Sequence, residues 1–386
     1  MTETVLWTGC IVLAGALGAM AARAVRLPAA CGAMAGGLLT SVGVNSLGLM
    51  PQALDLLDLR AALVAFVCLL AGVEIDLTRL VKDRRSIAAA VGAQCLLVGG
   101  LVALAGLMLG YPPRISLLLA VCLMATSPTA LMAVASELRA SGHLTRRLLA
   151  QSGIGLLAAL ALMHFVFFIT SPQGEIGSFL LSVVVGAVMG FVILVPLSRM
   201  SQRGAMVTGA ATGALVLALV ARGLGPRLEQ VAAMSIIAGF IVGNFSSNRD
   251  SIRDALRDVG LPCVIALFAV AGFGLQAGEL AAGLGSGLAL LAARAAGLML
   301  AGAVTPGGRA GIVQGLAQLP AAGITSGGAL AAMTTMSLVA AATAVPALWE
   351  GFVVAAAASE LFGMIAARWV LARAGEAPLA EQVTVR

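Results

Sequence analysis

Leu117-Leu118-Leu119-Ala120-Val121-Cys122-Leu123-Met124-Ala125-Thr126-Ser127-Pro128-Thr129 begins as an apolar helix and then breaks on a proline. A second stretch, Gln318-Leu319-Pro320-Ala321-Ala322-Gly323-Ile324-Thr325, followed by Ser326-Gly327-Gly328, interrupts another long apolar segment in the same way. Proline removes a backbone donor and clashes with the preceding turn, so neither helix runs through unchanged. One such site reads as an ordinary kink of a membrane helix. What two of them mean depends on how many apolar segments lie between.

Working outward, apolar segments recur at roughly 4–22, 27–44, 60–77, 86–109, 114–136, 145–170, 176–197, 204–222, 228–245, 260–276, 280–304, 309–340 and 346–371, each close to the ~20 residues a helix needs to cross ~30 Å of hydrocarbon. The expected fold is an all-α polytopic membrane protein with thirteen transmembrane helices. The breaks fall in segments 5 and 12, an odd offset, so the two helices run in opposite directions. An inverted repeat of spans 1–6 onto 8–13, with span 7 as the joint, produces that pattern. Discontinuous helices at corresponding places in two halves point to a transport site at the membrane midplane.

Composition agrees with this class. Of 386 residues, 60% are hydrophobic and 10% charged, too few polar groups to cover a soluble domain of this length. The 47 glycines suit helices that pack closely through small side chains. The short alternating segments of a membrane β-barrel are not seen. Six cysteines without a CxxC motif, all in or beside apolar segments, read as small buried hydrophobes, and with two histidines the sequence points to no metal cluster. Met1-Thr2-Glu3-Thr4 carries no basic residue, so the first span is expected to be retained and not cleaved as a signal peptide.

The net charge of +6 does not call for nucleic acid, because the basic residues sit in short inter-span loops. With the spans above, one side collects 18 of the 23 Lys and Arg, the other 4, and Arg294 remains inside a span. The positive-inside rule places the rich side and the C-terminus in the cytoplasm and the N-terminus outside. Trp7, Trp349 and Trp369 fall near span ends, as interfacial tryptophans do. No loop is long enough to fold alone. The expected organisation is one transporter domain over 1–374 and a short cytoplasmic tail over 375–386.

Few ionisable residues lie within the spans. Arg294 is near the middle of span 11 and Glu360 near the middle of span 13. An intramembrane arginine needs a polar partner, so a structural Arg294–Glu360 ion pair and direct work on a substrate are both open readings. His164, in the outer part of span 6, reads either as a packing histidine or as a proton relay. Glu74 and Asp76 end span 3 near the cytoplasmic face beside Arg79. Arg249, Asp250, Arg253, Asp254, Arg257 and Asp258 alternate in sign and read as a solvated loop with local pairing.

The motifs in their order resemble the bacterial monovalent cation:proton antiporters, the group that includes Kef-type and sodium/proton exchangers. Ala71-Gly72-Val73-Glu74-Ile75-Asp76 is similar to that family's Ala-Gly-Leu-Glu-Ile-Asp, and Ala125-Thr126-Ser127-Pro128 with Glu137-Leu138 to its first broken helix. Leu261-Pro262 through Phe268, Ala271-Gly272 and Leu275 resembles its Leu-Pro…Phe-Phe…Ala-Gly…Leu stretch. Arg294 with Gly297 matches its membrane-buried Lys or Arg, and Pro320-Ala321-Ala322-Gly323-Ile324 its second broken helix. Glu360-Leu361-Phe362-Gly363 and Ala374-Gly375-Glu376 are similar to its closing motifs.

The resemblance implies crossed broken helices, a core around spans 3–6 and 10–13, and a homodimer built on the remaining spans. It implies alternating access in which protons and Na⁺ or K⁺ compete for a buried carboxylate, with membrane lipid as surroundings and no cofactor. Here the chain departs from the pattern. Aligning Gln151-Ser152 on the family's Glu-Ser sets its acidic pair on Gly155-Leu156, its first-break Asp on Ser127 and its second-break Gln on Ala321. A cation site wants oxygen ligands and proton exchange wants a titratable group. The transport-site candidates are therefore Thr126, Ser127, Pro128, Thr129, Gln151, Ser152, Arg294, Pro320, Gly323, Thr325 and Glu360, with Glu360 and His164 as possible proton carriers. The alternatives are an anion or neutral-solute carrier on the same scaffold, or a scaffold without transport; no enzyme activity is implied.

Overall fold

The computed structural model describes residues 2–47, 56–140, 142–170, 176–224, 228–275, 277–305, 309–321 and 346–376. Over these the chain is helical: α1 (Thr2–Ala24), α2 (Ala29–Ser46), α3 (Leu57–Glu74), α4 (Leu77–Lys82), α5 (Arg84–Met108), α6 (Pro113–Met124), α7 (Pro128–Glu137), α8 (His143–Thr170), α9 (Ile176–Arg199), α10 (Arg203–Leu224), α11 (Leu228–Phe245), α12 (Arg249–Phe273), α13 (Ala277–Ala282), α14 (Leu284–Val304), α15 (Arg309–Ala317) and α16 (Pro346–Arg373). Helix is what an apolar segment must form in hydrocarbon, where each N–H and C=O needs a partner within the segment.

Seven of these helices are long and apolar enough to cross a membrane, and the bent pair Arg249–Leu256 and Val259–Phe273 makes up to eight. The chain is a multi-pass α-helical membrane protein. This length-and-apolarity count leaves out segments 2, 3, 5, 9 and 12 of the sequence, the two broken ones among them, 5 and 12, for evident reasons. The first break divides segment 5 into α6 and α7, each too short alone, and most of segment 12 lies outside the described residues.

Glycine decides how closely the helices approach. α2 packs on α12, α3 on α11, and α5 on α14. A methyl group at Gly37 would lie 2.0 Å from the Ala269 carbonyl oxygen, and one at Gly272 2.0 Å from that of Met34. At the α3–α11 seam the same holds for Gly72 against Ile236 (2.1 Å) and Gly239 against Leu69 (2.0 Å). Where α5 meets α6, Gly106 lies on Ser116; where α14 meets α15, Gly302 lies on Gly311. Backbone-to-backbone contact of this kind is how helices pack where lipid removes the hydrophobic drive.

At one end of α3, Glu74 pairs with Arg253 at 3.4 Å and Asp76 with Arg249 at 2.5 Å. Both partners are on α12; the side chain of Arg79, expected beside them, lies outside the described residues. The alternating charges from Arg249 onward are helical and not a loop, since opposite charges three residues apart, as in Asp250 and Arg253 at 3.7 Å, meet on one helix face.

Candidate functional site at the crossing of two broken helices

α6 ends at Met124, the chain runs extended through Ala125, and α7 restarts at Pro128. Ser127 caps α7, its Oγ accepting from the Ala130 N–H at 3.2 Å and lying 2.8 Å from Thr129 Oγ1. Proline at the first helical position costs no hydrogen bond, which explains why the break can sit on Pro128. α15 ends at Ala317, and Gln318 to Ala321 follow in non-helical form. The two breaks touch. Thr126 and Ala321 form an antiparallel bridge, and the Ser127 N–H donates to the Pro320 carbonyl at 2.9 Å.

Two half-helix C-termini, those of α6 and α15, converge here and bring partial negative charge. Arg294 of α14 enters between them, fully buried. Its Nε donates to the Leu319 carbonyl at 3.2 Å, and its Nη2 lies 3.1, 3.3 and 3.2 Å from the carbonyls of Ala125, Gln318 and Pro320. An arginine at this depth would cost several kcal/mol without partners; the four carbonyls offset that cost and bind both breaks to α14. Glu360 of α16 is buried, and its charge acts on Arg294. Gly363, one turn on, lets α16 rest on the second break: a methyl there would lie 2.2 Å from the Pro320 nitrogen.

Two glutamines complete the crossing. Gln94 of α5 donates Nε2 to the Met124 carbonyl at 2.7 Å, and Gln318 donates Nε2 to the Leu148 carbonyl at 3.1 Å. A carbonyl only accepts, so each contact fixes which end of the amide faces it. Both Oε1 atoms are then left buried without a hydrogen-bond partner among the described residues, as are Thr126 Oγ1 and Arg294 Nη1. Each such group costs about 1–3 kcal/mol, so several together mark a place shaped for something other than stability. Gly155 of α8 faces the same point: a methyl there would lie 3.6 Å from Thr126 Oγ1 and 3.9 Å from Gln94 Oε1.

A cleft of about 320 Å³, counted with its open mouth, reaches this region from the face where α8 begins and α14 ends. Its polar lining is Gln94, Arg147, Gln151, Thr305, Gln314 and Gln318. No carboxylate lines it among the described residues.

The structure brings Thr126, Ser127, Pro128, Thr129, Arg294 and Pro320 together at the crossing, with Glu360 on the helix that packs against it. Gln151 lines the cleft. Ser152 turns away, donating to the Leu149 carbonyl at 3.0 Å. His164 is buried with Nδ1 2.8 Å from the Leu160 carbonyl, about 14 Å along α8 from Gly155 at 1.5 Å per residue. Gly323 and Thr325 lie outside the described residues. Sequence reasoning passed over Gln94 and Gln318 as site residues; the available signal was an amide inside an apolar helix and another two residues before a helix-breaking proline.

A family model described as "Sodium/hydrogen exchanger, transmembrane" matches residues 10–372. Among solved structures, one of the sodium proton antiporter MjNhaP1 from Methanocaldococcus jannaschii at pH 8 is similar over 97% of both chains, with a TM-score of 0.69 and 16% identity. A second structure of that protein, from an electron-microscopy map, gives a TM-score of 0.68 and 17% identity over 97% of this chain and 96% of that one. At such identity the likeness shows a common fold. No curated protein matches by sequence.

Proposed function

The chain belongs to the sodium/hydrogen exchanger family, and from that premise we propose that it exchanges a monovalent cation, Na⁺ or K⁺, for protons by alternating access. It is read as thirteen spans in a bacterial inner membrane, N-terminus outside, C-terminus cytoplasmic, with spans 1–6 repeated inverted as 8–13. Exchanging the halves swaps the α2–α12 contact with α11–α3 and the α5–α6 contact with α14–α15, which supports the repeat. The glycine seams Gly37–Gly272 and Gly239–Gly72 follow the same exchange. Residues 1–374 form the transporter domain, its core around spans 3–6 and 10–13 and its other spans the homodimer scaffold; 375–386 are a cytoplasmic tail.

The observation that carries the reading is the buried Glu360, whose charge acts on the one arginine that holds both breaks. Protonating it changes the charge balance at the crossing itself, so proton and cation are coupled even though Gly155-Leu156 replaces the usual acid. Everted vesicles should show cation-driven pH changes with the wild type and none with Glu360→Gln of equal membrane abundance. Intact exchange in that variant would overturn the assignment.

One observation favours a second reading. Arg294 Nη1 is buried without a hydrogen-bond partner among the described residues, and a guanidinium donor in such a place suits a carboxylate or halide. Thermal stabilisation of the purified protein by such anions, but not by Na⁺ or K⁺, would establish an anion carrier instead.

A further inference from the structure

We infer that Lys82, Arg84 and Arg85, at the junction of α4 and α5, bind the phosphate of an anionic phospholipid headgroup. Arg79-Leu80-Val81-Lys82-Asp83-Arg84-Arg85 is the densest basic run in the chain, with four basic residues in seven. Lys82, Arg84 and Arg85 are exposed, and none of their side chains makes a hydrogen bond or ion pair among the described residues. Asp83, the single acid in the run, pairs with none of them. Other cations at this end of the bundle are neutralised: Arg249, Arg253, Arg23 and Arg368 each meet a carboxylate. The start of α8 adds to the charge. Arg147 Nη2 donates to Ser86 Oγ at 2.9 Å, setting the first turns of α8 and α5 side by side. Its chain neighbour Arg146 is exposed, with an unpaired side chain.

The location selects the occupant. Arg84 opens α5, one of the helices long and apolar enough to cross a membrane, so the run lies at the depth of the headgroups. Anionic lipid surfaces attract basic clusters placed directly beside a span. Two adjacent guanidinium forks suit phosphate oxygens, and a lysine ammonium adds a point charge. Val81, 54% exposed within the run, supplies the apolar contact that a lipid uses and a free phosphate does not. The long stems of lysine and arginine also lie along apolar surface while their charged ends reach the polar layer.

The test follows the unfolding temperature of the purified full chain in an uncharged detergent. Phosphatidylglycerol, phosphatidylcholine or inorganic phosphate is titrated in at constant ionic strength. Phosphatidylglycerol should stabilise saturably and well beyond the other two, and the effect should shrink in high salt. Arg84→Gln/Arg85→Gln should weaken the apparent lipid affinity about tenfold or more, since each basic residue near such a surface contributes roughly fivefold. Without lipid this variant should melt close to the wild type, because neither side chain is bonded within the protein. Arg26→Gln/Arg199→Gln removes the same charge from two exposed arginines elsewhere and should respond like the wild type. Equal stabilisation by the two lipids, or an unaltered response of the Arg84/Arg85 variant, would overturn the inference. So would an equal loss in the Arg26/Arg199 control, which would leave only net charge at work. Inorganic phosphate as effective as phosphatidylglycerol would replace the lipid by a free anion and overturn it too.

Discussion

The Ser127 N–H donates to the Pro320 carbonyl across 2.9 Å, joining residues from two helices that break about 190 positions apart in the chain. A proline lies one place after the donor and at the acceptor. At the first break Pro128 starts the second half-helix; at the second, the Pro320 carbonyl accepts from both Ser127 and Arg294. The first break supplies the N–H and the second the carbonyl of this contact. Their contact is therefore specific, and Arg294 locks it by taking carbonyls from both sides.

Replacing Arg294 by Met should destabilise the protein by about 3 kcal/mol or more, since hydrogen bonds to a charged donor are worth roughly 1.5–3 kcal/mol each and four carbonyls would lose theirs. Lysine restores the charge but not the fork that spans both breaks, so Arg294→Lys should lie between. Thermal unfolding in detergent ranks the three proteins, and a Met variant as stable as the wild type would contradict the role assigned to this side chain.

Two glycines facing the crossing should respond oppositely to alanine. At Gly363 the added methyl would sit 2.2 Å from the Pro320 nitrogen and 2.6 Å from its Cα, both backbone, so α16 must move away. At Gly155 its nearest neighbour would be Thr126 Oγ1 at 3.6 Å, an ordinary contact. Gly363→Ala should lower stability by about 1–3 kcal/mol, the usual range for overpacking, while Gly155→Ala should be near neutral. Parallel melting curves check the contrast.

The difference between what was legible and what was not follows from where the partners reside. Pro128 and Pro320 were readable because a proline's effect on its own helix is local. Arg294 was readable as buried, but its partners are main-chain carbonyls of Ala125, Gln318, Leu319 and Pro320, which no side-chain letter announces. From the sequence alone, an ion pair with Glu360 and direct work on a substrate both stay open. Gln94 looked like a tolerated polar residue in an apolar helix, since its role depends on Met124 being the last residue before a break. Glu74 and Asp76 were legible as an interfacial pair, but finding Arg253 and Arg249 required the α3–α12 packing. Glu376 stood in a recognisable Ala-Gly-Glu motif, and only the folded chain shows what its carboxylate does.

That carboxylate caps a distant helix. Gly375 takes φ +75, which glycine adopts freely, and turns the chain so that Glu376 meets the start of α8. Its oxygens accept from the N–H of Leu144 at 2.7 Å, the N–H of Thr145 at 2.8 Å and Thr145 Oγ1 at 2.6 Å. An acid on an exposed helix N-terminus is worth about 1 kcal/mol. Glu376→Gln should lose part of this and Glu376→Ala all of it. Hydrogen exchange at the Leu144 and Thr145 amides should accelerate in both variants, more in the alanine, with amides deep in α8 unchanged.

Glu137, at the end of α7, gathers three elements and yields the last prediction. Its carboxylate lies 3.1 Å from Arg368 of α16 and 3.7 Å from Arg23 of α1, and accepts from the Ala29 N–H that opens α2 at 3.0 Å. The side chain is 11% exposed, so its charge is only weakly screened, whereas Arg23 at 46% exposure adds little. Glu137→Gln keeps an acceptor for Ala29 but loses the charge, leaving Arg368 to find water. The expected cost is about 1–3 kcal/mol, intermediate between an exposed and a fully buried pair. Arg368→Gln in the Glu137→Gln background should then cost much less than Arg368→Gln alone, because the partner is already gone. Four melting midpoints close this cycle. Additive losses would mean that α7 and α16 are held by packing alone.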